Sequence, residues 1–169
     1  LASKLEYDMQ PLRISNIYPV ELARQVICEF LDSNLDKKYV FEFESEPQCE
    51  TEFIRGDEVL IKRAITNLIQ NSINHNANGC KITISVTCSE KEIAIVVSDN
   101  GVGVSAEKLK ALNSKTHYLE STDKALHLRH GLGVLLVRQI VEAHNGIMQI
   151  LSEEQKGYET TLIFPKTKY

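Results

Sequence analysis

The sequence predicts an α/β sandwich: a mixed, largely antiparallel sheet with three main helices packed on one face. Three observations carry this. Segments beginning near residues 19, 58 and 132 repeat apolar residues at helical spacing. Shorter segments alternate apolar and polar residues, as half-buried strands do. At two places, residues 81–99 and 147–164, one such strand follows another across a short connection, which makes antiparallel neighbours.

Taken in order, residues 1–10 place Leu1, Leu5 and Met9 at helical spacing and stop at Pro11, like the end of a longer helix. Residues 12–17 read as a short strand. Tyr18-Pro19 then opens a helix, because a proline's missing N–H costs nothing at the first helical position. Its apolar positions include Val20, Ala23, Val26, Ile27, Phe30 and Leu31. Residues 39–44 alternate as a strand, and 51–55 form a further candidate. Gly56-Asp57 breaks the pattern and caps a helix over residues 58–76. Strands 81–88 and 92–99 follow, with Ile82, Ile84 and Val86 sharing a face with Ile93, Ile95 and Val97. Residues 104–130 are polar, weakly periodic and longer than a compact domain normally leaves between elements. Residues 132–144 return to an apolar helix, ended by Asn145-Gly146 as a left-handed cap. Residues 147–151 and 158–164 close the chain as a hairpin.

The 169 residues fit one domain, and 43% hydrophobic with 25% charged residues is ordinary for a soluble protein with a sizeable core. A formal net charge of -4 without a basic run argues against nucleic acid or an anionic membrane as the main partner. Any site for a polyanion has to be made locally. Cys28, Cys49, Cys80 and Cys88 show no CxxC spacing and no nearby histidine partners, so free, mostly buried thiols are expected rather than zinc. No apolar run approaches the roughly 18–20 residues of a membrane span. Glu6 and Asp8 interrupt any signal-peptide reading. A start at leucine, in mid-pattern, points to a fragment.

The helix from residue 58 carries the first informative chemistry. Ile61, Ala64, Ile65, Leu68 and Ser72 form a packing stripe, and Asn67, Asn71, Asn74 and Asn78 fall beside it. Asparagine competes for backbone hydrogen bonds and is a poor helix former, so four along one flank need a reason. An amide oxygen is a hard, neutral ligand suited to magnesium that shares phosphate oxygens. The same residues also read as a solvated flank, with 76–79 a fraying end and turn.

Two glycine loops follow. Asp99-Asn100-Gly101-Val102-Gly103 succeeds an apolar strand, where the glycines let a ligand approach the backbone and the carboxylate can accept from an exocyclic amine. A hairpin turn at Asn100-Gly101 is the alternative. A dinucleotide fingerprint fails for want of an amphipathic helix and parallel strand afterwards. Gly131-Leu132-Gly133 opens the helix of residues 132–144, where free N–H groups and the positive end of the macrodipole bind phosphate. Close helix packing alone also explains those glycines. No GxxxxGK[ST] run occurs.

In this order and combination the motifs resemble the catalytic domains of sensor histidine kinases, within the superfamily shared with gyrase-type topoisomerases, heat-shock chaperone ATPases and mismatch-repair ATPases. Residues 67–73 look like the N box, 99–103 match the first glycine box, and Gly131-Leu132-Gly133 with the apolar run after it matches the second. The resemblance implies a Bergerat-type fold over residues 12–165, a mobile ATP lid at about 104–130, the end of a preceding dimerisation helix or linker at 1–11 and a tail at 166–169. It implies ATP and Mg2+ as cofactors. Asn71 would be the metal ligand, and Asn67 a phosphate or metal-shell contact with a part in catalysis. Asp99, Gly101 and Gly103 would serve the adenine side, and Gly131, Leu132 and Gly133 the phosphates. Asn74, where relatives carry Lys or Arg, joins the nucleotide-binding candidates with His75 and His130; Lys115, Lys124 and Arg129 are further candidates to supply the missing charge.

The superfamily's ATPases activate water with a glutamate one turn before the metal asparagine. Asn67 stands there and cannot act as a base, so phosphotransfer to a protein is expected over hydrolysis. His75, His117, His127, His130 and His144 lack a following acidic residue, so the acceptor histidine lies outside this chain. Implied partners are the protein's own dimerisation domain, a response regulator and a second copy in the full-length protein, with no nucleic acid and no direct membrane contact. The expected compartment is the cytoplasm.

Overall fold

The computed structural model describes residues 11–114 and 132–166. Strand β1 (Ile14–Ile17) leads to helix α1 (Pro19–Asp32), which begins with Pro19 at its first position. Strand β2 (Tyr39–Ser45) is followed by a 3-10 turn (Pro47–Thr51) and strand β3 (Ile54–Asp57). Helix α2 (Glu58–His75) precedes β4 (Cys80–Cys88) and β5 (Glu92–Asp99). A short helix α3 (Ala106–Asn113), helix α4 (Leu132–Ala143), and strands β6 (Ile147–Ser152) and β7 (Tyr158–Pro165) complete the described elements.

The main sheet has the order β2-β4-β5-β7-β6. Only β2 and β4 run parallel; the other neighbours are antiparallel, as their short connections require. One face is apolar: Ile82, Ile84, Ile93, Ile95 and Leu162 are fully buried on it. Against them lie Val26 of α1, Ile61, Ala64, Ile65 and Ile69 of α2, and Val137 and Val141 of α4, all at 0% exposure. The sandwich is thus two layers over one core. A second, two-stranded sheet pairs β1 with β3 beside it.

Four expectations need correction. Residues 51–55 do not form one strand, since Pro47–Thr51 winds as a 3-10 turn and the strand runs from Ile54 to Asp57. Gly56-Asp57 therefore does not break that strand. Gly56 pairs with Ser15, and a Cβ on it would meet the His144 ring at 2.6 Å, so its glycine serves close approach. Asp57 does cap α2, accepting from Leu60 N. Residues 104–130 are not loop throughout. Ser105 caps α3 by accepting from Lys108 N, and Leu112 is fully buried. Two helical turns with one buried leucine fall below the span over which periodicity is readable. Finally, Asn78 is not on the α2 flank, because the helix ends at His75 and Asn76 caps it. Residues 1–10 lie outside the described residues. No described helix is long and apolar enough to cross a membrane.

Candidate functional site

The site begins at the one polar residue in the buried stripe of α2. Ser72 is 5% exposed and its hydroxyl donates to Asp99 Oδ2 at 2.7 Å, tying the helix to the end of β5. The other carboxylate oxygen, Oδ1, accepts from Gly101 N at 2.9 Å, turning the chain sharply after the strand. Each oxygen keeps a lone pair in reserve, so Asp99 still offers an acceptor to a ligand.

One helical turn on, Asn76 holds the loop in place. Its Nδ2 donates to Ser72 O at 2.7 Å and its Oδ1 accepts from Val102 N at 2.9 Å. The Tyr39 hydroxyl donates to Asn76 O at 2.8 Å from strand β2. Gly101 is obligatory here, because a Cβ would stand 1.9 Å from Asn76 Oδ1. Gly103 is required for two reasons: its φ is +65°, and a Cβ would meet Glu153 O at 2.2 Å. Beyond it, Val104 N donates to Ser152 Oγ, which donates in turn to Gly157 O.

These pieces surround a narrow recess. Asp99, Ser72 and Tyr158 form its floor, Asn71, His75 and Asn76 its α2 wall, and Gly103 and Val104 the opposite loop. Asp99 is the one carboxylate among those residues. Tyr158, paired with Asp99 across the strands, has its hydroxyl pushed well up by burial and remains a neutral phenol. Burial, and secondarily the Asp99 charge, push the nearby Cys80 thiol up to about 11.

Asn71 stands where the recess meets α4. A Cβ on Gly133 would lie 3.4 Å from Asn71 Oδ1, so the first turn of α4 approaches this amide. Asn71 Nδ2 is buried without a hydrogen-bond partner among the described residues. The unmet Nδ2 donor, beside a helix start, fits a phosphate oxygen, and the Oδ1 of the same amide is the atom that could ligate a magnesium ion. Asn67 lies half-buried one turn earlier. Asn74, in contrast, is exposed and accepts from Gln70 Nε2 at 2.9 Å, and it does not line the recess. Leu132 opens α4. Gly131 and His130 lie outside the described residues, as do Lys115, His117, Lys124, His127 and Arg129. His144 has a structural place: its Nε2 accepts from Asp57 N at 2.9 Å.

The sequence reading missed Asn76 and Tyr158 as parts of the site and treated Ser72 as packing. Only Ser72 carried a signal, being the polar member of an otherwise apolar stripe.

Residues 56–168 match the family model described as histidine kinase-, DNA gyrase B-, and HSP90-like ATPase. Sensor histidine kinase YvrG of Bacillus subtilis is 26% identical over 166 residues, covering 98% of this chain and 28% of that protein. The phosphate regulon sensor protein PhoR of Haemophilus influenzae is 32% identical over 113 residues, covering 67% and 27%. The chain therefore spans under a third of either relative. The nucleotide-free catalytic domain of histidine kinase ThkA has the same fold, with a TM-score of 0.75 at 24% identity over 92% of this chain and 99% of that one. Full-length ShkA in complex with AMPPNP gives 0.73 at 18%, over 94% and 32%. With motif order, sheet topology and family match in agreement, the chain belongs to the histidine kinase-, DNA gyrase B- and HSP90-like ATPase family, among the catalytic domains of sensor histidine kinases.

Proposed function

We propose that the chain binds Mg-ATP and transfers its γ-phosphoryl group to a histidine on a separate dimerisation domain, for relay to an aspartate of a response regulator. The observation that supports this best is the meeting of three features at one recess: the Asp99 carboxylate, the Asn71 amide and the first turn of α4.

In this reading Asp99 accepts from the exocyclic amine of adenine, with Ser72 and Gly101 N fixing its orientation. Gly101 and Gly103 keep the loop close enough for the base to slide beside backbone. The N–H groups of Gly131, Leu132 and Gly133 receive phosphate oxygens at the positive end of α4. Asn71 holds the magnesium ion, whose charge offsets that of the phosphates when bound. Asn67, a neutral amide, orients phosphate or metal-bound water without taking a proton from it, so hydrolysis is slow and a protein acceptor is required. His75 and His130 contact the nucleotide from the recess wall and from the approach to α4. Asn74 sits further out and reaches the phosphates only by leaving Gln70.

The partners are then the protein's own dimerisation domain and a response regulator, with a homodimer in the full-length protein. Its compartment is the cytoplasm, and neither nucleic acid nor a membrane is contacted directly by this part.

The test is a titration with a fluorescent ATP analogue, with and without magnesium. Binding should tighten with the metal, and Asn71→Ala should remove that dependence while the fold persists; metal-independent binding identical in both proteins would overturn the assignment. A second reading has one observation in its favour: exposed Asn74 replaces a basic residue, as in a module that binds ATP without transferring it. Incubation with the acceptor domain and labelled ATP separates the two, since only the kinase reading yields labelled histidine.

A further inference from the structure

Two cysteines that take no part in the nucleotide site meet at the far end of the sheet. Cys49 lies in the 3-10 turn after β2, and Cys88 is the last residue of β4. Their meeting follows from topology. β2 and β4 run parallel with Ser45 opposite Val86, so the chain leaving β2 turns back beside the residue two places further along β4. The sulfur atoms are 2.6 Å apart, joined across 39 residues of sequence. Cys49 is fully buried, whereas Cys88 is half-buried at the sheet's rim, beside the Ser89–Glu92 turn.

We propose that Cys49 and Cys88 form an oxidisable dithiol, a modification site that a hydroperoxide converts to an intramolecular disulfide. Attack begins at Cys88, the member solvent reaches. Its sulfur attacks the hydroperoxide's distal oxygen; the S–O bond forms as the O–O bond breaks, and the alkoxide leaves as an alcohol with the Cys88 proton, giving a sulfenic acid. The Cys49 sulfur then attacks the Cys88 sulfur; the S–O bond breaks and the departing hydroxide leaves as water with the Cys49 proton. Two thiols and one hydroperoxide thus become one disulfide, one alcohol and one water. Burial, with the Cys88 contact adding to it, pushes the Cys49 thiol up to about 11, which disfavours it as the first attacker; its role in the second step rests on the closeness of the two sulfurs.

The disulfide would leave the nucleotide site alone. Cys88 pairs with Ile93, while Asp99 pairs with Ile82 at the other end of the same two strands, roughly 20 Å away. What it changes is stability, because the bond closes a long loop in the unfolded chain. Cys28, exposed on α1, is a competing target that the test has to remove.

The experiment treats the Cys28→Ser protein with a small excess of hydrogen peroxide, blocks remaining thiols, and maps cross-linked peptides by mass spectrometry. A Cys49–Cys88 peptide, reversible by dithiothreitol, is expected, with a rise in Tm of roughly 8–15 °C over the reduced protein. Cys88→Ser should abolish the rise, and affinity for the ATP analogue should stay within about twofold. Should serine disturb folding, Cys88→Val serves instead, and peptide mapping of the Cys28→Ser protein stands alone. Sulfinic acid at Cys88 without cross-linking, a bond to Cys80, or an unchanged or lower Tm on cross-linking would each overturn the proposal.

Discussion

Gly101→Ala should unfold the loop after β5 for a purely steric reason, and a second substitution should undo the damage. A Cβ at this position would fall 1.9, 2.3 and 2.5 Å from Oδ1, Cγ and Nδ2 of Asn76, all closer than non-bonded atoms tolerate. The backbone at Gly101 itself is not left-handed, so alanine brings no dihedral penalty there. Relief therefore comes by expelling the Asn76 amide. That breaks its bonds to Ser72 O and Val102 N, each contributing about 1 kcal/mol, and strands a partly buried N–H for a further 1–3 kcal/mol. The expected loss is about 3–5 kcal/mol, or roughly 6–20 °C in Tm for a chain of this size. Asn76→Ala breaks the same bonds and should cost a similar amount. The double variant is the decisive one, because the atoms that Cβ would strike are gone. It should be no more than about 1 kcal/mol below Asn76→Ala alone, a coupling on the order of 2 kcal/mol or more. Thermal and urea unfolding of the four proteins measure this. Additive losses, or a Gly101→Ala protein as stable as wild type, would refute the close approach of Asn76 and the loop.

Other consequences reach different parts of the molecule. Asp99→Asn keeps an acceptor for Gly101 N but turns a donor toward Ser72 and removes the charge. Affinity for the ATP analogue should fall roughly 10–100-fold while the domain stays folded, as calorimetry can show. The Cys49 and Cys80 thiols ionise near 9.0 ordinarily and near 11 when folded, chiefly through burial. Between those values the unfolded chain has lost protons the folded one keeps, so stability is complete below about pH 9 and falls as pH rises through 11. Tm measured across that range should drop less steeply in Cys80→Ala, and identical curves would exclude its share. Arg138 is 8% exposed on α4 and donates through Nη2 to Leu112 O at 2.9 Å, holding the last turn of α3. Arg138→Met should cost about 1–2 kcal/mol and raise hydrogen exchange over residues 106–113 well before that of α2.

Much of the fold was legible because its long elements are periodic over enough residues to declare themselves. Helices α1, α2 and α4 and the strands β4, β5 and β7 each run eight residues or more with one buried face; the expected start of α1 and the expected limits of the others fall within a residue or two of those observed. Two short elements escaped. Helix α3 and the 3-10 turn bury one residue apiece, Leu112 and Cys49, and a single apolar position has no period.

The candidate site divides in the same way. By itself, the sequence determined the motif order, the glycines at Gly101, Gly103 and Gly133, and the carboxylate at a strand end, because residue identity and order are read directly along the chain. Only the tertiary structure decided that Ser72 anchors Asp99, that Asn76 holds Val102, that Tyr158 closes the floor, and that Asn71 rather than Asn74 faces the recess. Those relations join residues of different elements, or separate neighbours on one helix by a rotation of about 60°. Such relations come into being only when helix and sheet pack, and no spacing along the chain records them.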